Sequence, residues 1–120
     1  MPNKINLRKK LDQFQDHWHP RIVGELNGQH VKLAKLKGEF VWHAHEQEDE
    51  LFYVIDGTLD LEFRDQTVHL QAGECIIVPR GVEHRPVARE EVSVMLFEPA
   101  STRNTGHVTH DLTRTDLEHL

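Results

Sequence analysis

The sequence predicts an all-β domain carrying one short N-terminal α-helix, and three observations lead there. After Arg21 the apolar residues fall in short or alternating runs with no helical period. Turn dipeptides separate those runs at regular spacing. Ahead of them lies a single amphipathic stretch. Many short strands divided by Gly-containing turns read as a sandwich or barrel.

The first stretch places Leu7, Leu11, Phe14 and Trp18 on one helical face, with Arg8, Lys9, Lys10, Asp12 and Asp16 on the other. Asn3 or Asn6 can cap its start, and Pro20 stops it. The strand runs are Ile22-Val23, Val31 to Leu36, Phe40 to Trp42, Leu51 to Ile55, Leu59 to Phe63, Val68 to Leu70, Cys75 to Val78 and Val92 to Phe97. Between them stand Asn27-Gly28, Lys37-Gly38, Asp56-Gly57, Arg64-Asp65, Ala72-Gly73 and Arg80-Gly81. Asn-Gly and Asp-Gly have the twist of hairpin turns. The organisation expected is an N-terminal helix packed on the barrel (1–20), the β-barrel (21–100) and a polar C-terminal tail (101–120) that wraps the surface or covers a partner chain.

With 120 residues the chain can bury one hydrophobic core. It has no apolar stretch near the ~20 residues of a membrane helix, and the first twenty residues lack an apolar signal region. A cytoplasmic protein with no membrane partner is expected. The net charge of −6 and the absence of a basic stripe argue against nucleic acid as a partner; Lys32, Lys35 and Lys37 read as one strand face. The single cysteine, Cys75, cannot form an intramolecular disulfide, and its apolar neighbours suggest a buried thiol.

The composition is unusual in its ten histidines. Two segments organise the informative ones: Gly38-x4-His43-x-His45-x4-Glu50-x6-Gly57, and Gly73-x5-Pro79-x-Gly81-x2-His84. Residues two apart on a strand share a face, so His43 and His45 point together. A turn over Glu46 to Asp49 can return Glu50 to that face. Glu50 is preferred to Glu46, Glu48 and Asp49 because it directly begins an apolar strand. His84 follows the Pro79–Gly81 turn. Three imidazoles and a carboxylate make a nitrogen and oxygen site suited to a divalent transition metal rather than calcium or magnesium. Burying these groups without an ion is costly. His17, His19, His30, His69, His107, His110 and His119 show no convergent partners; His17 and His19 suit a helix C-terminus, and His119 is expected to be disordered.

These two segments resemble the two short motifs of the cupin family, over roughly Val31 to Pro99. Two departures stand out: four residues rather than five separate Gly38 from His43, and Ala88 stands where the second motif often has Asn. The resemblance implies a double-stranded β-helix, or jelly roll, and metal ligands at His43, His45, Glu50 and His84. It implies one divalent transition metal, iron, manganese, nickel or zinc, and a small-molecule ligand. The run from Val31 to Gly57 and the ending Phe97 to Pro99 with Asn104 to Gly106 are similar to small stand-alone cupins described as mannose-6-phosphate isomerase-like.

Fold does not settle activity. The expected function is a metal-dependent enzyme on a small polar molecule, of oxygenase or isomerase type; the alternative is a non-catalytic ligand-binding or sensing module. No catalytic residue beyond the metal ligands announces itself. Phe52, Tyr53, Met95 and Phe97 are placed on strands flanking the metal, and Arg85 either binds an anion or forms a rim ion pair. A homodimer is expected, with the N-terminal element packing on a second chain or on its own barrel.

Overall fold

In the computed structural model, which describes residues 2–120, Asn6 accepts a hydrogen bond from the Lys9 amide and starts α1, Leu7–Leu11. The apolar spacing predicts a helix reaching towards Pro20, but helical geometry ends after five residues. Packing explains the early stop. Leu11 and Phe14 fill one apolar cluster with Val23 and Leu33, whereas Trp18 belongs to the barrel core. An extended chain advances about twice as far per residue as a helix, and so reaches both. Trp18 is fixed there by stacking on Phe40 at 4.6 Å and by its indole N–H donating to Lys37 O.

Seven strands follow: β1 (Arg21–Leu26), β2 (Gln29–Glu39), β3 (Glu50–Asp56), β4 (Thr58–Phe63), β5 (Thr67–Gln71), β6 (Cys75–Val78) and β7 (His84–Pro99). All pairings between them are antiparallel, in the order β1-β2-β7-β3-β6, with β5 on β4 and β4 on the first part of β7. Strand β7 therefore joins two parts of one seven-stranded sheet. Residues 84–87 pair with β4, and residues 92–97 lie between β2 and β3. The result is the double-stranded β-helix. Asn27 and Gly28 both have positive φ, 50° and 77°, as the tight β1–β2 hairpin requires.

Alternation sets the interior. On β3, Glu50, Phe52 and Val54 point inward, against Val94 and Leu96 of β7 and Leu59 and Leu61 of β4. Two predicted breaks differ from the sequence pattern. Strand β2 runs through Lys37-Gly38 with a bulge between Leu36 and Gly38, and β7 extends eight residues before Val92. Phe40 to Trp42 forms no strand; residues 40–49 are irregular apart from one bridge, His43 to His84.

Cys75 is exposed rather than buried, because β6 pairs on one side only and Cys75 and Ile77 face outward from that edge. The tail crosses back over its own barrel, and His119 is not disordered: it bridges Ile22, with the Leu120 amide donating to Ile22 O. Among the described residues no helix is long and apolar enough to cross a membrane.

Candidate metal centre

Reciprocal backbone hydrogen bonds hold His43 against His84: each amide donates to the other's carbonyl, at 3.0 and 2.9 Å. The two rings are thereby set side by side, centroids 4.3 Å apart. His45, two residues on, is anchored when its carbonyl accepts from the Gly81 amide at 2.8 Å. Glu50 opens β3 opposite Val78. Each of the four residues offers a ligand atom, and those atoms lie within 4.8 Å of one another. All four side chains are buried, His84 completely.

Two rings have their tautomer fixed by geometry. His43 Nδ1 lies 2.9 Å from Val41 O, and His84 Nδ1 lies 2.9 Å from Val82 O. A carbonyl only accepts, so Nδ1 carries the proton and Nε2 presents a lone pair when the ring is neutral. His84 Nε2 and His45 Nε2 then face the same Glu50 oxygen, at 3.4 and 3.2 Å. Neither contact is aligned as a hydrogen bond, and those three atoms and His45 Nδ1 are buried without a partner. For His84, whose Nδ1 holds the proton, a lone pair facing the carboxylate is repulsive unless a further proton or a cation lies between. This donor set fits a divalent metal of the transition series.

Electrostatics point the same way. Burial first, and the neighbouring His84 second, push the His43 imidazole down to about 4 from its ordinary 6.5. Burial works to raise Glu50, but its contacts with His45 and His84 win, and its carboxyl is held below the usual range. The neutral imidazole and the ionised carboxylate are the forms that coordinate metals.

The His43 shift has a measurable consequence for the metal-free protein. Between about pH 6.5 and about pH 4 the unfolded chain takes up a proton that folded His43 refuses, so stability rises with pH across that window. The contribution is fully present above the unfolded value and lost as pH falls towards the folded one; its size is about 3 kcal/mol. The Glu98 carboxyl, raised by burial, contributes with the opposite sign above its ordinary value, so the comparison should be made against His43→Gln. Denaturant titrations of both proteins at about pH 7 and about pH 4 should show the wild type losing about 3 kcal/mol relative to the variant. A pH-independent difference would refute this account.

Two interior groups escaped the sequence reading. Lys32 on β2 and Glu98 on β7 are each 2% exposed, with Nζ and Oε2 3.4 Å apart. Burial, and then the charge of Glu50, raise the Glu98 carboxyl well above its ordinary value, against the pull of Lys32. Both residues line a cavity of about 40 Å³ that also touches His43, Glu50, Phe40 and Phe52. Their signal was parity: Lys32 shares a face with Ala34 and Leu36, and Glu98 with Val94 and Leu96.

The tail closes this end of the barrel. Gly106 lies against Ala44 and the His43 ring, and the His107 ring N–H donates to Ala44 O at 3.0 Å. Of the other candidates, Arg85 is engaged elsewhere. Arg85 forms ion pairs with Glu62 at 2.7 Å and Glu39 at 3.1 Å. Phe52 does face His84, 6.1 Å between centroids, whereas Met95 packs in the cluster around Phe14. His17, His19 and His69 pair with Glu91, Asp16 and Asp60.

Comparison with known proteins agrees with this architecture. The family model described as "Cupin domain" matches residues 29–98. A solved cupin-2 domain protein from Shewanella frigidimarina is 50% identical, with a TM-score of 0.78 over 79% of this chain and 93% of that one. The Bacillus subtilis protein YdbB is 41% identical over 64 residues, 52% of this chain and 57% of its own length. The 3-hydroxyanthranilate 3,4-dioxygenase of Xenopus tropicalis is 25% identical over 78% of this chain, but only 36% of its own length is matched. The chain thus spans about a third to somewhat over half of these two curated relatives. From the motif geometry, the rolled antiparallel sheet and these matches together, the chain belongs to the cupin domain family.

Proposed function

We propose that His43, His45, Glu50 and His84 hold one divalent transition metal, iron, manganese, nickel or zinc, and that the protein is a metal-dependent enzyme acting on a small polar molecule. The observation carrying this reading is the set of buried, unpartnered nitrogen and oxygen atoms converging beside a cavity. When bound, such an ion supplies Lewis acidity and, for a redox-active metal, electron-transfer chemistry. The chain's own contributions are distinct. Val41 O and Val82 O orient the His43 and His84 rings. Phe40 and Phe52 give the cavity apolar walls. The tail at Gly106 and His107 packs over Ala44 and the His43 ring. The similarity to a dioxygenase supports an oxygenase-type reaction over a purely structural role.

The second reading is a non-catalytic binding module. It is favoured by the small volume of the cavity, about 40 Å³. Elemental analysis of protein purified without a histidine tag, followed by a turnover screen with small hydroxy acids, catechols, thiols and sugars, separates the two. The enzyme reading expects close to one metal per chain and turnover that depends on it; metal with ligand binding but no turnover selects the module, and no metal refutes both. We also include a homodimer and a cytoplasmic location in this proposal. The N-terminal apolar face is already spent on its own barrel, so a dimer would use another surface, such as the β6 edge with Ile77 63% exposed. A sedimentation mass of one chain would remove the dimer from the reading.

A further inference from the structure

A lysine inside an apolar barrel is costly unless its charge is well partnered. Lys32 is not well partnered. Its Nζ has two contacts, Glu98 Oε2 and Thr102 O, both at 3.4 Å. An ammonium has three N–H donors, and its charge-assisted hydrogen bonds settle near ~2.7–2.9 Å. Two contacts are therefore long, and the third donor has no partner among the described residues.

Lys32 also stands where two spaces meet. It lines the interior cavity together with His43 and Glu50, and it lines a cleft of about 400 Å³ beneath the C-terminal tail. That cleft gathers His30, Arg103, Arg114 and His119, with Asp116 the one carboxylate in its lining. In a chain of net charge −6 this is a local reversal of sign, and such a lining raises the local concentration of anions. The cavity volume limits what fits. One water needs roughly 10–15 Å³ on this measure, so about 40 Å³ holds a molecule of a few heavy atoms.

We propose that Lys32 is the specificity-determining residue of the cavity, holding the carboxylate of a small organic acid whose second polar group faces His43 and Glu50. The proposal deepens the metal-dependent reading above and rests on it for the role of the second group. The anion reaches Lys32 from the basic cleft, and the apolar walls contact its short carbon body. A phosphate ester is disfavoured by size.

Calorimetric titration with glycolate and its neutral counterpart glycolamide tests this, on wild type, Lys32→Met and Lys32→Arg, with metal content measured on every sample. Wild type should bind glycolate about tenfold or more tighter than glycolamide, the worth of one charge-assisted hydrogen bond. Lys32→Met should lose that preference and leave glycolamide within about twofold, while Lys32→Arg retains it. If Lys32→Met does not fold because Glu98 is left unpaired, the double variant Lys32→Met/Glu98→Gln removes both ionisable groups and is expected to show the same loss. Equal affinity for the two probes in wild type, or a glycolate preference that survives in a folded variant lacking Lys32, overturns the proposal. The two readings fail separately: metal present without a carboxylate preference removes only the role of Lys32, whereas Lys32-dependent glycolate binding by a metal-free wild type removes only the metal.

Discussion

Replacing His84 with alanine is expected to empty the cluster, lowering bound metal from near one ion per chain to less than about a tenth of that. Outer partners of metal ligands alone are worth about 10–100-fold in affinity, and here a ligand itself is removed. Glu50 would also lose one of the two rings that face its Oε1 atom. His84 is fully buried and its ring contacts those of His43, His45 and Phe52. The deletion therefore opens a void as well, costing about 2–4 kcal/mol by analogy with other large-to-small core changes. Plasma emission analysis reads the metal, and thermal melting monitored by circular dichroism reads the fold. His84→Asn, closer in volume, separates the two effects: it should recover much of the stability and little of the metal. Full metal occupancy in a folded His84→Ala protein would remove His84 from the ligand set.

The second large effect is expected at Gly106. A Cβ there would lie 2.2 Å from Ala44 O and 2.9 Å from Ala44 C, on backbone with φ of 60°. No rotamer relieves a clash between a Cβ and backbone, so the tail must move. Gly106→Ala should cost about 1–3 kcal/mol of stability through strain. Displacing the tail uncovers His43 and breaks the His107 hydrogen bonds to Ala44 O. Stripping of metal by a chelator should then accelerate by about tenfold, the rate change of about 1.4 kcal/mol on a barrier. Stopped-flow chelation measures it directly. An unchanged rate in a folded variant would show that the tail does not gate the site.

Local signals made much of this molecule readable in advance. The Asn-Gly turn, the presence of most β-runs and the pairing of His43 with His45 are short-range features, and the fold brings those two histidines together with Glu50 and His84. What escaped depends on long-range pairing. Periodicity placed Phe14 and Trp18 on one helix, yet they belong to two clusters that only the folded barrel separates. Cys75 lies in an apolar run, but its exposure follows from β6 being an edge, which no local pattern encodes. Lys32 was hidden because a lysine on a strand is ordinarily solvated; its burial requires the tail and Glu98, residues far along the chain. His119 is ordered by Ile22, nearly a hundred positions away.

Strand β7 carries His84 at one end and Glu98 at the other, and between them every second position is buried except Glu90, within the exposed trio Arg89, Glu90 and Glu91 that separates its pairing with β4 from its pairing with β3. Losing one residue from that trio would reverse the phase of everything after it, turning Glu98 away from the lumen while His84 stayed put. The residue count of this segment is therefore locked, because a lone deletion there would uncouple the two ends of the chamber that the strand keeps in step.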